Sequence, residues 1–124
     1  MTPDFFYNFA KESMEKNGYV VLPLEELNEV RNSKFPENHI IAAKFVVNTN
    51  SLLIVRGDYK SISVPIFNIP LFGVSEQPDF HILSIEDLGL TLVVDNKVNL
   101  DSGILFDAAD DKFYNKFSKR NKTP

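Results

Sequence analysis

The sequence has no cysteine and no tryptophan among its 124 residues. Without cysteine the chain has neither disulfide bonds nor thiolate metal ligands, and this fits a reducing compartment. No run approaches the roughly 18 apolar residues that a membrane-spanning helix requires. The first residues, MTPDFFYNFAKE, lack the basic start of a signal peptide. We therefore expect a cytoplasmic protein with no membrane partner.

Acidic residues are missing from one end of the chain. All 17 acidic residues lie at or before Asp111 with eight Lys and Arg, so residues 1–111 carry a net charge of −9. Residues 112–124, KFYNKFSKRNKTP, hold five basic residues and no acidic one. An acidic body with a basic tail argues against a dedicated duplex-DNA binder, because such proteins usually carry a basic face on the folded domain.

The first 36 residues predict two helices. Thr2 is suited to cap a helix and Pro3 to begin it, and apolar residues follow at helical spacing up to Asn17-Gly18, which predicts the end. A short strand at 19–22 precedes a second helix, whose inward residues are Leu24, Leu27 and Val30.

Residues 39–107 predict a β-rich core that ends in a short helix. Strand patterns cover 39–47, 52–55, 61–66, 80–87, 88–94 and 97–100. Gly57-Asp58 predicts a type II′ hairpin loop, because its first position requires positive φ. Asp101 or Ser102 is suited to cap the last helix. We expect one domain over residues 1–124, of α+β class, with a small, mostly antiparallel sheet of five to six strands flanked by an N-terminal and a short C-terminal helix.

Two stretches resemble the prokaryotic domain-of-unknown-function family 2442. VRGDYKSISVPIFNIPLF (55–72) is similar to its turn, "VP" strand and Pro-containing connector, and HILSIEDLGLTLVVDNKVNLDSGILFD (81–107) is similar to its ending. The resemblance covers residues 39–107. It implies a small bacterial or phage α+β domain without established chemistry, and some members are linked with toxin–antitoxin-like gene pairs. The Trp-Pro pair common in that family is absent here, and residues 1–36 are an addition.

Few residues in the sequence are candidates for catalysis or metal binding. The tripeptide Arg56-Gly57-Asp58 spells an adhesion signal, but a hairpin turn explains it better in a chain without a signal peptide. A metal site or a small hydrolase would need His39 and His81, whose spacing matches no ligand pattern. For His81 we expect a half-buried, hydrogen-bonded ring. The acidic residues at 86–87 and at 107, 110 and 111 could bind a cation or act as a paired acid and base, but they are typical of a solvated turn and helix face, and the pattern of a calcium loop is missing. We expect no cofactor, no metal and no enzymatic activity.

Three surfaces are candidates for binding a partner. The first is the aromatic cluster of the N-terminal helix, with Phe5, Phe6 and Phe9. The second is the basic tail, where aromatic residues alternate with cations, a pattern suited to single-stranded nucleic acid or an acidic protein surface; its binding residues would be Lys112, Lys116, Phe117, Lys119 and Arg120. The third is the strand LLIV (52–55), which would pair with a second copy if it lay at a sheet edge.

The sequence favours a non-enzymatic protein-interaction or regulatory module, antitoxin-like or anti-defence in role. Nucleic-acid binding through the basic tail is an alternative, as is a small nucleotide-binding or hydrolytic protein that uses His39 or His81.

Overall fold

A computed structural model describes residues 3–71 and 76–109, with side chains from Ala10 onward. These residues include three α-helices: α1 (Pro3–Lys16), α2 (Leu24–Arg31) and α3 (Ser102–Asp107). The same ranges include seven strands: β1 (Val20–Val21), β2 (Ile40–Val46), β3 (Ser51–Arg56), β4 (Ser61–Pro65), β5 (Leu83–Glu86), β6 (Thr91–Val94) and β7 (Val98–Asp101). The predicted α+β class, with helices at both ends of the strand region, is confirmed.

The strands form two antiparallel sheets where the sequence indicated one. The first sheet has the order β1-β2-β3-β4 and the second has the order β5-β6-β7. The chain leaves β4 at Pro65 through a 3₁₀ helix, Ile66–Asn68, and none of the described residues that follow pairs with β4. Instead β5 packs beside β1 and β2. The long connector, which contains Pro70 and Pro78, therefore separates two sheets rather than two strands of one sheet.

Helix ends and helix faces follow the sequence. α1 ends before Gly18, whose φ of +88° is readily adopted by glycine. α2 begins after Pro23 and buries Leu27 and Val30. In α3 the carboxylate of Asp101 accepts a hydrogen bond from the N–H of Gly103 at 2.8 Å, so Asp101 is the cap.

Apolar side chains from both sheets form one core. Ile62, Val64 and Ile66 are buried, as their alternation with polar residues predicts. They join fully buried residues of other elements, which include Leu22, Leu27, Ile40, Leu52, Ile54, Leu92 and Leu105.

The expectation that LLIV (52–55) forms an exposed edge is wrong. These residues belong to β3, which lies between β2 and β4 and pairs with both. The edge strands of this sheet are β1 and β4. β4 ends at Pro65, and an edge position suits proline because it has no N–H to donate. Self-association through residues 52–55 would therefore require the first sheet to open.

The loop between β3 and β4 also differs from its predicted type. The N–H of Tyr59 donates to the carbonyl of Arg56 at 2.8 Å, and the residue with positive φ is Tyr59, at +65°. Arg56 faces Lys60 across a three-residue loop, a common hairpin form in which a type I turn precedes a left-handed residue. Gly57 is therefore not needed for positive φ.

Gly57 is needed for a close approach of two backbones. A Cβ at this position would lie 2.2 Å from the carbonyl oxygen of Pro36 and 2.7 Å from Val30 Cγ1. Gly89 meets the same stretch from the second sheet, since a Cβ there would lie 2.2 Å from the carbonyl oxygen of Ile40. Both glycines thus lie in close contact with residues 36–40, which we call the junction segment.

Hydrogen bonds hold the junction segment from both sheets. The N–H of Gly57 donates to the carbonyl of His39 at 2.8 Å, and the hydroxyl of Ser102 donates to the carbonyl of Asn38 at 2.9 Å. His39 Nδ1 lies 2.7 Å from the carbonyl oxygen of Leu88, so this nitrogen carries the proton. The first sheet, the second sheet and the start of α3 therefore meet at these five residues.

The Gly57→Ala variant tests this close approach. Because the added methyl meets a backbone oxygen that does not rotate away, we expect a loss of about 3 kcal/mol in the free energy of unfolding, measured by urea denaturation. The matched control is Gly103→Ala, whose Cβ meets only the Asp101 carboxylate at 3.2 Å. The control should change stability by no more than about 1 kcal/mol. Equal stability of the two variants would contradict the role given to Gly57.

Candidate functional site

The partner-binding residues expected from the sequence lie largely outside the described residues. The backbone at Phe5, Phe6 and Phe9 lies in α1, as predicted, but their side chains are not described. The basic-tail residues Lys112, Lys116, Phe117, Lys119 and Arg120 follow the last described residue, Ala109. Their roles stay predictions.

The two histidines occupy separate environments. His39 is half-buried and bonded to the carbonyl of Leu88. His81 is exposed, and its Nδ1 lies 3.1 Å from Asp79 Oδ1 while its ring meets Phe45 edge-on at 4.9 Å. The expectation of a half-buried His81 is wrong, because β5 begins at Leu83 and leaves His81 in the preceding turn. Hydrogen bonds from the backbone and ring of His81 lower the pKa of the Asp79 carboxyl.

The acidic residues bind their own neighbours. The hydroxyl of Ser84 donates to Glu86 at 3.1 Å, and that of Thr91 donates to Asp87 at 3.2 Å. Within residues 3–71 and 76–109, no three carboxylate or imidazole side chains converge to hold a metal ion. None of the helices in these ranges is long and apolar enough to cross a bilayer.

The Arg56-Gly57-Asp58 tripeptide is part of the hairpin. Arg56 Nε donates to Asp58 Oδ1 at 3.1 Å, a second guanidinium nitrogen contacts Oδ2, and the N–H of Lys60 donates to Oδ1 at 3.2 Å. Only about a quarter of the Asp58 side chain is exposed. The two charges that an adhesion receptor would read are thus engaged with each other in the turn.

An open groove of about 230 Å³ lies where the end of α1 meets β2 and the turn before β5. Its lining includes Lys44, Phe45 and His81. Lys44 Nζ donates to the carbonyl of Asn17 at 2.9 Å and lies 5.1 Å from the ring centroid of Tyr19. The Lys44 ammonium group and the His81 ring are therefore each bonded to another residue of the protein. This arrangement does not favour a ligand in the groove.

A second groove, of about 340 Å³, lies between the 3₁₀ helix after β4 and the end of α3. Its lining residues are Asn68, Pro70, Ile104, Asp107 and Ala108. Phe67 adjoins it in the chain, with 83% of the residue exposed, and Ile104 is 42% exposed. We call these six residues the Phe67 surface. It combines two exposed apolar side chains, Phe67 and Ile104, with the carboxylate of Asp107.

Local structure explains why Phe67 points outward. Ile66 and Ile69 are both buried, and the 3₁₀ helix between them turns the intervening side chain to the other side. In α3, Leu105 is buried, which leaves Ile104 facing solvent. Asn68 Nδ2 donates to the carbonyl of Ala108 at 3.3 Å and joins the two walls of the groove.

Sequence reasoning missed the Phe67 surface because it treated 67–78 as a connector. A phenylalanine in a Pro-containing connector is a detectable signal, since a connector of this kind has no core-facing period of its own. The groove itself depends on the contact of Asn68 with Ala108, which are 40 positions apart.

Comparison with family models, with curated proteins and with solved structures finds no match to this chain. The resemblance to family 2442 is accordingly carried only by the residues quoted above.

The Asp58→Asn variant tests the role of the hairpin ion pair. Burial raises the pKa of Asp58, but the hydrogen bonds from Arg56 and Lys60 and their charges outweigh it, so the net pKa is lowered from 3.8. A carboxyl with a lowered folded pKa stabilises the fold above about pH 4, and this contribution is lost as the pH falls through the folded pKa. We expect Asp58→Asn to cost about 1 kcal/mol at neutral pH.

The measurement is urea denaturation from pH 7 to pH 2. The difference between wild type and Asp58→Asn should shrink toward zero at the acid end. Glu29→Gln, which removes one charge from exposed α2 surface, corrects for the change in net charge. A difference that stays constant down to pH 2 would mean that the Asp58 carboxylate does not stabilise the turn.

Proposed function

We propose that this chain is a non-enzymatic protein-interaction module and that it binds its partner through the Phe67 surface. The observation that carries the proposal is the exposure of Phe67 beside a groove whose far wall carries the exposed Ile104. Single exposed apolar residues are common, whereas an apolar group at a groove is typical of a binding site. Aromatic residues, phenylalanine among them, are also enriched at the cores of protein–protein interfaces.

Charge indicates the chemistry of the partner. Asp107 lines the groove, and residues 1–111 carry a net charge of −9. Basic residues on a partner would approach such a surface faster and with fewer unfavourable contacts than acidic ones. The surface is therefore suited to a peptide segment with an apolar or aromatic side chain flanked by Lys or Arg.

The other predicted functions have less support. Nucleic-acid binding through the basic tail involves residues that follow Ala109, so no described contact favours it. A hydrolytic role for His39 or His81 has no support from geometry, because each ring bonds to a different neighbour. A regulatory role in the cytoplasm of a bacterium or in a phage, antitoxin-like or anti-defence, remains part of the proposal through the family resemblance.

Selection of peptides from a random phage-displayed library on the immobilised chain tests the proposal. We expect enriched peptides to carry an aromatic or large aliphatic residue with Lys or Arg beside it. Phe67→Ser should weaken their binding at least tenfold, about 1.4 kcal/mol, because the exposed ring is the anchor. Binding is measured by titration of synthetic peptides against each variant.

The matched control is Phe35→Ser. Phe35 is also exposed, to 53%, but it adjoins Pro36, which lies against Gly57 in the loop at the opposite end of β4 from Phe67. This variant should bind the peptides like wild type. A library that yields no enriched peptides, or peptides that bind Phe67→Ser as tightly as wild type, would contradict the proposal.

A further inference from the structure

β4 is an edge strand whose outward backbone groups have no bond from any described residue. The N–H of Arg56 donates to the carbonyl of Lys60 at 2.9 Å, which sets the hydrogen-bonding phase between β3 and β4. Because this phase alternates along a strand, Ser61 and Ser63 direct their N–H and C=O groups away from β3, and Pro65 directs its carbonyl there. In residues 3–71 and 76–109 no group accepts a bond from the outward N–H groups of the two serines. Such an edge favours pairing with a further strand.

The two ends of β4 carry complementary groups. At one end lies the Phe67 surface, with the exposed Phe67 ring and the carboxylate of Asp107. At the other end Tyr59 and Lys60, both exposed, follow one another in the hairpin loop. An aromatic residue next to a lysine is the chemistry inferred above for the partner. One end of β4 therefore presents what the other end is suited to bind.

Antiparallel pairing of two copies of β4 brings these opposite ends together. If Ser63 of each copy faces Ser63 of the other, these residues exchange two hydrogen bonds. The N–H of each Ser61 then meets the carbonyl of Pro65 in the second copy, so all four serine N–H groups have an acceptor and proline need not donate. In the same register Tyr59 of one copy lies opposite Phe67 of the other, because both are four positions from Ser63.

A neighbouring register lacks this match at the strand ends. Pairing of Ser61 with Ser63 of the second copy also gives every serine N–H an acceptor. That register places Phe67 opposite Gly57, which has no side chain to cover the ring. The aromatic contact therefore favours the register centred on Ser63.

We propose that the partner of the Phe67 surface is a second copy of this chain, joined by antiparallel pairing of β4 about Ser63. The hairpin loop of each copy then lies at the Phe67 surface of the other. Lys60 of one copy lies at the end of β4 where Asp107 of the other copy lines the groove, and this attraction favours the antiparallel orientation. The inference rests on the proposed function, because it names the occupant of the same surface.

Sedimentation equilibrium at chain concentrations from about 1 μM to about 1 mM tests the proposal. The mean mass should rise from that of one chain to that of two. Phe67→Ser should raise the dissociation constant at least tenfold, because each copy loses an aromatic contact. Ser63→Lys should raise it at least as much, because like charges then face each other across the two strands. The matched control is Asn99→Lys, which adds the same charge to an exposed position of β7, the edge strand of the second sheet, and should dimerise like wild type.

Disulfide trapping tests the register. Because the protein has no cysteine, Ser63→Cys gives one thiol per chain. Directly opposed residues have Cα atoms about 5.5 Å apart, which suits a disulfide, so this variant should form a covalent dimer in a glutathione buffer. Ser61→Cys should not, because the two thiol-bearing residues are then offset by four positions, about 14 Å along the strand. Equal covalent dimer from both variants would overturn the register and the proposal with it.

The remaining outcomes separate this proposal from the proposed function. A mass of one chain at every concentration overturns the second-copy proposal, and so does a dimer that tolerates both Phe67→Ser and Ser63→Lys. Urea denaturation verifies that each variant is folded. If the chain stays monomeric while selected peptides bind it in a Phe67-dependent manner, only the second-copy proposal fails. If neither dimer nor peptide complex forms, the proposed function fails too.

Discussion

The junction segment, residues 36–40, is the contact on which the rest of the structure depends. Gly57 approaches it from the first sheet and Gly89 from the second, each so closely that a Cβ would lie 2.2 Å from a backbone oxygen. With no disulfide available, the shared apolar core holds the two sheets together, and the backbone contacts and hydrogen bonds of the junction segment fix their relative position. The carbonyls of Asn38 and His39, which would otherwise lack partners at this crossing, accept bonds from Ser102 and Gly57.

The same segment positions the candidate binding surface. α3 begins at Ser102, whose hydroxyl bonds to the junction segment, and it ends beside the 3₁₀ helix that follows β4. One wall of the groove therefore follows the first sheet and the other follows the second sheet. If the sheets separated, Asn68 and Ala108 would part and the groove would be lost. The groove beside the exposed Phe67 therefore depends on the contacts of the junction segment.

Local features of the sequence predicted the local features of the fold. The end of α1 before Gly18 and the cap of α3 at Asp101 follow from residue chemistry. Asp95 and Asn96, between the strands predicted at 88–94 and 97–100, form a turn in which both residues have positive φ. The division into two sheets, the packing role of Gly57 and the outward Phe67 were not predicted. Each depends on groups far apart in the chain, such as Gly57 against Pro36, and no local pattern records such a contact.

Native-state hydrogen exchange tests most directly whether the two sheets are one unit. The amides of Ile54, in the centre of the first sheet, and Leu92, in the centre of the second, report the opening of each. If the junction couples the sheets, both amides should exchange with the same opening free energy, equal to that of global unfolding. Exchange of Leu92 through an opening about 2 kcal/mol less costly than that of Ile54 would show that the second sheet unfolds independently and would contradict this account.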